Sequence, residues 1–360
     1  MAAPARPDTP PAFAAPASPS AGVPWLRIVI GVALAALALY LPWQNNPENN
    51  TVFAQVLYLA VAAMGLNLLT GFNGQVSLGH GAFFGIGAFS AALLVSDHGW
   101  PIEATFPVAA LLAAVFGVLV GVPALRVKGL YLALITLGLS VLFPLVASKY
   151  VEGPGGVPLI RLSPRDVSSL VSSLQGDPDV YRYYVCLGIL ALTFLLAWNL
   201  MRGRAGRAII AVRDQEVAAS TVGVNVAAVK VGTFALSAAY AGLAGAMSVF
   251  IDKTADANNP IVYFQRSIEF LIAVVIGGAA TIAGPLLGAA ALVAIRRRTQ
   301  GTEAMAPAIL GGALILIVYV LPDGIVGGYH RLVARLRSGR ADRPPPDPAP
   351  DLTTAEPSPT

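Results

Sequence analysis

Long apolar runs divided by short polar links set the plan of this chain. A helix needs roughly 20 residues, each rising about 1.5 Å, to cross some 30 Å of hydrocarbon. Apolar blocks of about that length run over residues 26–42, 52–70, 76–96, 104–123, 129–148, 182–201, 231–250, 268–295 and 306–321. The pattern predicts an all-α polytopic membrane protein. The block at 268–295 is too long for one span, and glycines 277, 278 and 284 with Pro285 fall in its middle, in IGGAATIAGPLLGA from Ile276. Both residue types interrupt a continuous helix. Two short crossings or a hairpin are expected there, and counting the break as an added crossing gives about ten.

Outside residues 25–328 the hydrophobic pattern stops. Residues 1–24 are Pro, Ala and Ser without periodicity, and they lack the basic start and small-residue exit of a signal peptide. They read as a disordered cytoplasmic tail. Residues 329–360, basic and then Pro-rich, read as a second. Between the tails, positive charge near span ends sets the orientation. Residues 202–230 carry Arg202, Arg204, Arg207, Arg213 and Lys230 against Asp214 and Glu216, and Arg126 with Lys128 precede Gly129. With both links cytoplasmic, alternation places WQNNPENN, 97–103, 149–181 and 251–267 outside and both termini inside. The Arg296–Arg298 triplet then lies outside, against the rule.

Composition agrees with the pattern. Charged residues make up 12% of the 360 and hydrophobic residues 56%, where an average soluble domain carries about 25% charge. One soluble core could not bury so much apolar surface. Of the 28 prolines, half lie in the two tails, so the spans are not unusually broken.

Several chemistries are excluded. The single cysteine, Cys186, cannot form an intrachain disulfide, and His80, His98 and His330 are too far apart in sequence to make a metal cluster. No G-x-x-x-x-G-K-[ST] occurs, so ATP would be hydrolysed elsewhere. The pI near 9.3 comes from cations flanking apolar runs, which is a topology signal and not a nucleic-acid stripe. No Asp, Glu, Lys or Arg stands in the middle of an assigned span, and Glu103 and Glu269 sit at span edges. That pattern argues against proton relays and ion-coupled transport, which keep ionisable groups inside the bundle.

Three elements could carry function. The first is GFNGQVSLGHGAFFGIGAFSAALL, Gly71 to Leu94, whose glycines allow close helix approach or a broken backbone. Asn67, Asn73, Gln75, Ser77 and His80 are polar groups at membrane depth there; they either tie helices together or line a pathway. A catalytic role for His80 lacks any sequence neighbour to complete a site. The second is the Gly277–Gly288 stretch, with Gly277, Gly278 and Gly284. Two Gly/Pro-broken segments in opposite halves point to inverted repeats with a pathway between them. The third is the loop 202–230, long for an unstructured connection. Its apolar residues, Ile209, Ile210 and Val212 and then Val217, Ala218, Ala219 and Val222, recur at near-helical spacing up to Gly223, a C-cap residue. It is either an amphipathic helix on the lipid surface or a docking helix for a soluble partner.

GLNLLTGFNGQVSLGHGAFFGIGAF, RVKGLYLALITLGLS, GRAIIAVRDQEVAASTVGVNVAAVKVGTFALSAAYAGLAGAM and EFLIAVVIGGAATIAGPLLGA follow one another over about residues 52–328. In this order they resemble the M-type permease subunit of branched-chain amino acid ATP-binding-cassette importers. Glu216, Ala218, Ala219 and Gly223 resemble that class's coupling-loop motif, with the glutamate displaced by one. The resemblance implies a bacterial inner-membrane permease that performs no chemistry and binds no cofactor. It implies as partners a homologous H-type permease, two ATPase subunits using ATP and Mg, and an extracytoplasmic binding protein. The ATPase would dock on Arg213, Asp214, Glu216, Ala218, Ala219 and Gly223. EGPGGV at 152–157 departs from the family's threonine followed by two glycines, in a loop that would face the binding protein. On the residues alone, a passive facilitator for a small neutral solute such as urea or an amide, and an ion-coupled secondary transporter, stay open beside the importer.

Overall fold

The computed structural model describes residues 47–127, 129–150, 159–161, 178–256 and 261–299, with further positions at 38–40, 42, 311–312, 315, 319, 324–328 and 331. The chain separates into two units, Met1–Asn46 and Pro47–Thr360, and the following concerns the second. The apolar blocks 26–42 and 306–321, both tails and the EGPGGV loop lie wholly or largely outside the described residues.

Within these limits the elements are α1 (Pro47–Leu66), a π-helical segment (Asn67–Phe72), α2 (His80–His98), α3 (Ile102–Ala124), α4 (Leu130–Tyr150), β1 (Leu159–Arg161), α5 (Pro178–Arg202), α6 (Arg204–Asp214), α7 (Glu216–Thr221), α8 (Val226–Asp252), β2 (Thr254–Asp256), α9 (Ile261–Gly277) and α10 (Gly284–Arg298). Six helical stretches are long and apolar enough to cross a membrane: Asn49–Phe72, His80–His98, Ile102–Ala124, Tyr131–Lys149, Asp179–Arg202 and Val226–Asp252. They coincide with the second to seventh apolar blocks. The chain is a polytopic membrane protein, almost wholly helical among the described residues. The expected ten crossings would need both arms of a hairpin and both undescribed blocks to span.

Helix α8 is the hub. In its most apolar window and in that of Asn49–Phe72, 78% of residues are buried, against 22% for α5, so α5 stands at the rim and α8 with α1 at the centre. Small residues make this possible. A Cβ on Gly87 of α2 would run into the backbone of Gly242 on α8, and one on Gly242 into Ala109 and Ala113 of α3. Three helices therefore meet almost backbone to backbone, where dispersion replaces the hydrophobic drive that lipid cannot supply. On the outer faces of α3, α4 and α5, residues such as Leu111, Leu119, Tyr131, Leu142 and Leu195 stay exposed, as lipid-facing helices require.

The 268–295 block resolves into α9 and α10, of 17 and 15 residues. At about 1.5 Å per residue neither arm reaches 30 Å. Gly277 abuts Gly284, Gly288 abuts Ala273, and Glu269 pairs with Arg296. These pairs close symmetrically about the turn, so the arms are antiparallel and Ile261 and Arg298 share one end.

Two corrections follow from this geometry. The helix begins at Ile261 and not at Ile268, which puts Arg266 and Glu269 inside it with side chains only 22% and 15% exposed. Ionisable groups thus do enter the bundle, and they are tolerated because Glu269 accepts from both Arg266 and Arg296 at 3.1 Å. Loop 202–230 also folds differently from one continuous helix: α6 and α7 are separated at Gln215, whose backbone is extended (φ −156°, ψ 95°).

The links gather at two ends. At one, β1 pairs antiparallel with β2, Ile160 opposite Ala255, Tyr181 donates to Glu103, and Arg297 donates to Asn49. At the other lie α6 and α7, Gly74 against Arg213, and the α3–α4 link beside Lys230.

Candidate functional site

Between Asn73 and Gly79 the backbone leaves the helical path, and α2 opens inside the bundle. Ser237, which contacts His80 at the start of α2, lies 11 residues into α8, or about 16 Å along it. Non-helical backbone at such depth survives only where protein satisfies it, and hydroxyls do so here. Leu78 N–H donates to Thr136 Oγ1 at 3.0 Å, Ser140 Oγ donates to Leu78 C=O at 2.8 Å, Gly79 N–H donates to Ser77 Oγ at 3.3 Å, and Gly81 N–H donates to Ser267 Oγ at 2.8 Å. Thr136 and Ser140 sit four apart, on one face of α4. Hydroxyls isolated within apolar blocks at helical spacing were the sequence signal for this lattice, and the polar candidates drawn from 67–80 alone do not include them.

The sequence candidates separate into three places. His80 is buried, and its Nε2 meets Ser237 Oγ. Ser237 gives its single proton to the carbonyl of Gly65, so it accepts from the imidazole and the ring proton resides on Nε2. Ser77 is buried beside it in sequence, capping the link. Asn67, the first π-helical residue, lies elsewhere: its Nδ2 donates to Thr281 C=O at 2.8 Å and its Oδ1 accepts from Ala280 N–H at 2.9 Å. The amide thus serves the hairpin turn as a backbone peptide would, joining Asn67 to the segment containing Gly277, Gly278 and Gly284.

Asn73 and Gln75 form the third group, together with the loop 202–230. They line a cavity of about 110 Å³ shared with Arg213, Glu216 and Lys230. Arg213 Nη1 donates to Gly71 C=O at 3.3 Å, and Glu216 pairs with Lys230 at the start of α8. Gly71 is also where the hairpin turn closes, since a Cβ there would meet Ala280. One continuous line of contact therefore runs from α6 through the π-helical segment to the turn between α9 and α10.

Beyond Glu216 the loop turns outward. Val217, Ala218 and Val222 are exposed, Val222 at 78%, while Ala219 is buried. Gly223 (φ +86°) ends α7: its N–H bonds Ser220 C=O and Val224 N–H bonds Ala219 C=O, the paired closure that needs a left-handed residue. Asn225 then starts α8 by accepting from Ala228 N–H. Asp214 is exposed and pairs with Arg213.

Residues 50–320 match the family model described as branched-chain amino acid transport system / permease component. The chain is 29% identical over 330 residues, 86% of its length and 77% of the relative's, to the high-affinity branched-chain amino acid transport system permease protein LivM of Escherichia coli (strain K12). It is 26% identical over 294 residues to LivH, a permease protein of the same name and organism, covering 74% of this chain and 91% of LivH. It is also 26% identical over 285 residues to the ribose import permease protein RbsC of Haemophilus influenzae, covering 77% and 84%. No solved structure matches significantly.

Proposed function

The chain belongs to the family of branched-chain amino acid transport permease components, and from that premise we propose how its geometry serves import. It is a permease subunit of an importer for branched-chain or other hydrophobic amino acids, and not an enzyme. The homologous H-type permease is its partner in the membrane. A pair of ATPase subunits, holding ATP and Mg, docks on the loop bearing Arg213, Asp214, Glu216, Ala218, Ala219 and Gly223. A binding protein meets the opposite end, where β1 pairs with β2. The loop end faces the cytoplasm of a bacterial cell, with both termini, and the membrane is the inner one.

The observation that carries this reading is the contact line from Arg213 through Gly71 and Asn67 to the hairpin turn. Asn67, Ser77 and His80 border the pathway with Gly277, Gly278 and Gly284, while Asn73 and Gln75 mark its inner end. An ATPase that binds one arrangement of the loop better than another shifts the hairpin with it, since only differential binding moves a two-state equilibrium. Reconstitution tests this. Permease, ATPases and binding protein in liposomes should take up radiolabelled leucine only with ATP inside and binding protein outside. Uptake by the chain alone without ATP would make it a facilitator, and uptake following a Na⁺ or proton gradient would make it a secondary transporter.

A further inference from the structure

We propose, resting on the importer reading, that the corner between α5 and α6 binds the headgroup of an anionic phospholipid in the cytoplasmic leaflet. Leu195, Trp198 and Arg202 recur at helical spacing along one face of α5, and all are exposed. This span is the least buried of the six, so the exposed face meets lipid. Leu195 belongs with the acyl chains, Trp198 is of the type that settles at the interface, and Arg202 ends the stripe at headgroup level. Its guanidinium carbon lies 4.1 Å from the centre of the Trp198 ring, a stack that keeps the cation on the lipid side.

The chain then turns. Gly203 is extended (φ −76°, ψ −176°), and a Cβ on Gly206 would run into the backbone of Met201, so α6 starts folded against the end of α5. Ile209 and Val212 of α6 are buried and fix its inward face. Arg204 and Arg207, three apart, fall on the opposite face and are exposed. No Asp or Glu occurs between Asp179 and Asp214, and Asp214 pairs with Arg213. Among the described residues Arg202, Arg204 and Arg207 make no ion pair. These cations repel one another, and a phosphodiester beside them removes that cost while accepting from their N–H groups. An acidic protein surface would answer the charge alone; Leu195 and Trp198 on the same stripe call for an acyl chain as well. Lipid held at this corner steadies the root of the loop that carries Arg213 to Gly71.

The test uses the complete complex in phosphatidylcholine nanodiscs doped with a photoactivatable phosphatidylglycerol or, in parallel, a photoactivatable phosphatidylcholine, and maps the cross-linked peptides by mass spectrometry. Each cation beside an anionic surface raises affinity about fivefold. Phosphatidylglycerol should therefore label residues 195–207 at least tenfold more than phosphatidylcholine does, and Arg204→Gln with Arg207→Gln should remove that preference. If this variant does not assemble, raising the salt on the unaltered complex must remove it instead, since exposed charges are screened. Equal labelling by the two lipids overturns the proposal, as does a preference that survives both the substitutions and salt. Inorganic phosphate that competes as well as unlabelled phosphatidylglycerol would make this a site for free phosphate, and a variant that sheds the ATPases with its lipid labelling unchanged would give the corner to them; either result overturns the lipid site. Leucine import is assayed alongside. A complex that imports leucine without the lipid preference overturns the site alone, whereas one that shows the preference and imports nothing overturns the importer reading.

Discussion

At the scale of single residues, Asn67 is the most exposed to test, because one side chain satisfies two backbone groups 213 and 214 positions away. Asn67→Leu keeps the branching and the number of heavy atoms, though not the volume, and removes both bonds, leaving Ala280 N–H and Thr281 C=O unpartnered at about 1–3 kcal/mol each. The expected result is a lower melting temperature in detergent and reduced uptake by what remains folded; an unchanged melting temperature would mean the turn holds without it. Glycines provide a second contrast. Gly288→Ala drives a methyl into the carbonyl of Ala273 between the hairpin arms, while Gly188→Ala meets nothing within 4 Å. The first should abolish the folded fraction on size-exclusion chromatography, and the second should leave it intact. Sequence alone could not rank these glycines, since composition records that a residue is small and not what stands opposite.

At the scale of elements, legibility follows from how local each signal is. The helices α1 to α5 and α8 are readable because 20 apolar residues in succession are a local property. The Gly/Pro break of the hairpin is local too. The π-helical segment carries no comparable mark: NLLTGF reads as the end of an ordinary span, and its wider turn becomes visible only through Asn67 reaching Ala280 and Gly71 receiving Arg213. Arg266 is not legible in the sequence because Ile261–Ser267 mixes polar and apolar residues; the ion pairs of Glu269 and the burial of Tyr263 and Ser267 show that this turn is inside. Glu269→Gln leaves both arginines without their carboxylate; loss of charged hydrogen bonds at about 1.5–3 kcal/mol each in favourable settings, lessened by partial exposure, predicts a measurable drop in melting temperature. The docking loop allows a cleaner separation of binding from folding. Val222 is 78% exposed, so Val222→Asp should cost no stability while weakening co-purification of the ATPases and ATP-driven uptake together. Full uptake by that variant would remove α7 from the interface.

At the scale of the whole molecule, the decisive question is which end each link occupies, and the fold makes it unusually accessible to chemistry. Charge bias assigns the loop 202–230 to the cytoplasm, yet Arg296–Arg298 carries three cations to the other end, as the antiparallel hairpin dictates. On that assignment the bias fails at this triplet, where Arg296 is engaged by Glu269 and Arg297 by Asn49, so that these two charges hold α10 to its neighbours. Cysteine labelling can decide it. Cys186 is fully buried and gives no background with a membrane-impermeant maleimide in intact cells. Ile261→Cys and Arg298→Cys, both at exposed positions, should label from outside, and Val222→Cys only after the membrane is opened. If Arg298→Cys instead behaved like Val222→Cys, α10 would run across the bundle, the symmetric contacts of Gly277 with Gly284 and of Gly288 with Ala273 could not hold, and the contact line from Arg213 would end at Asn67 without a turn to move.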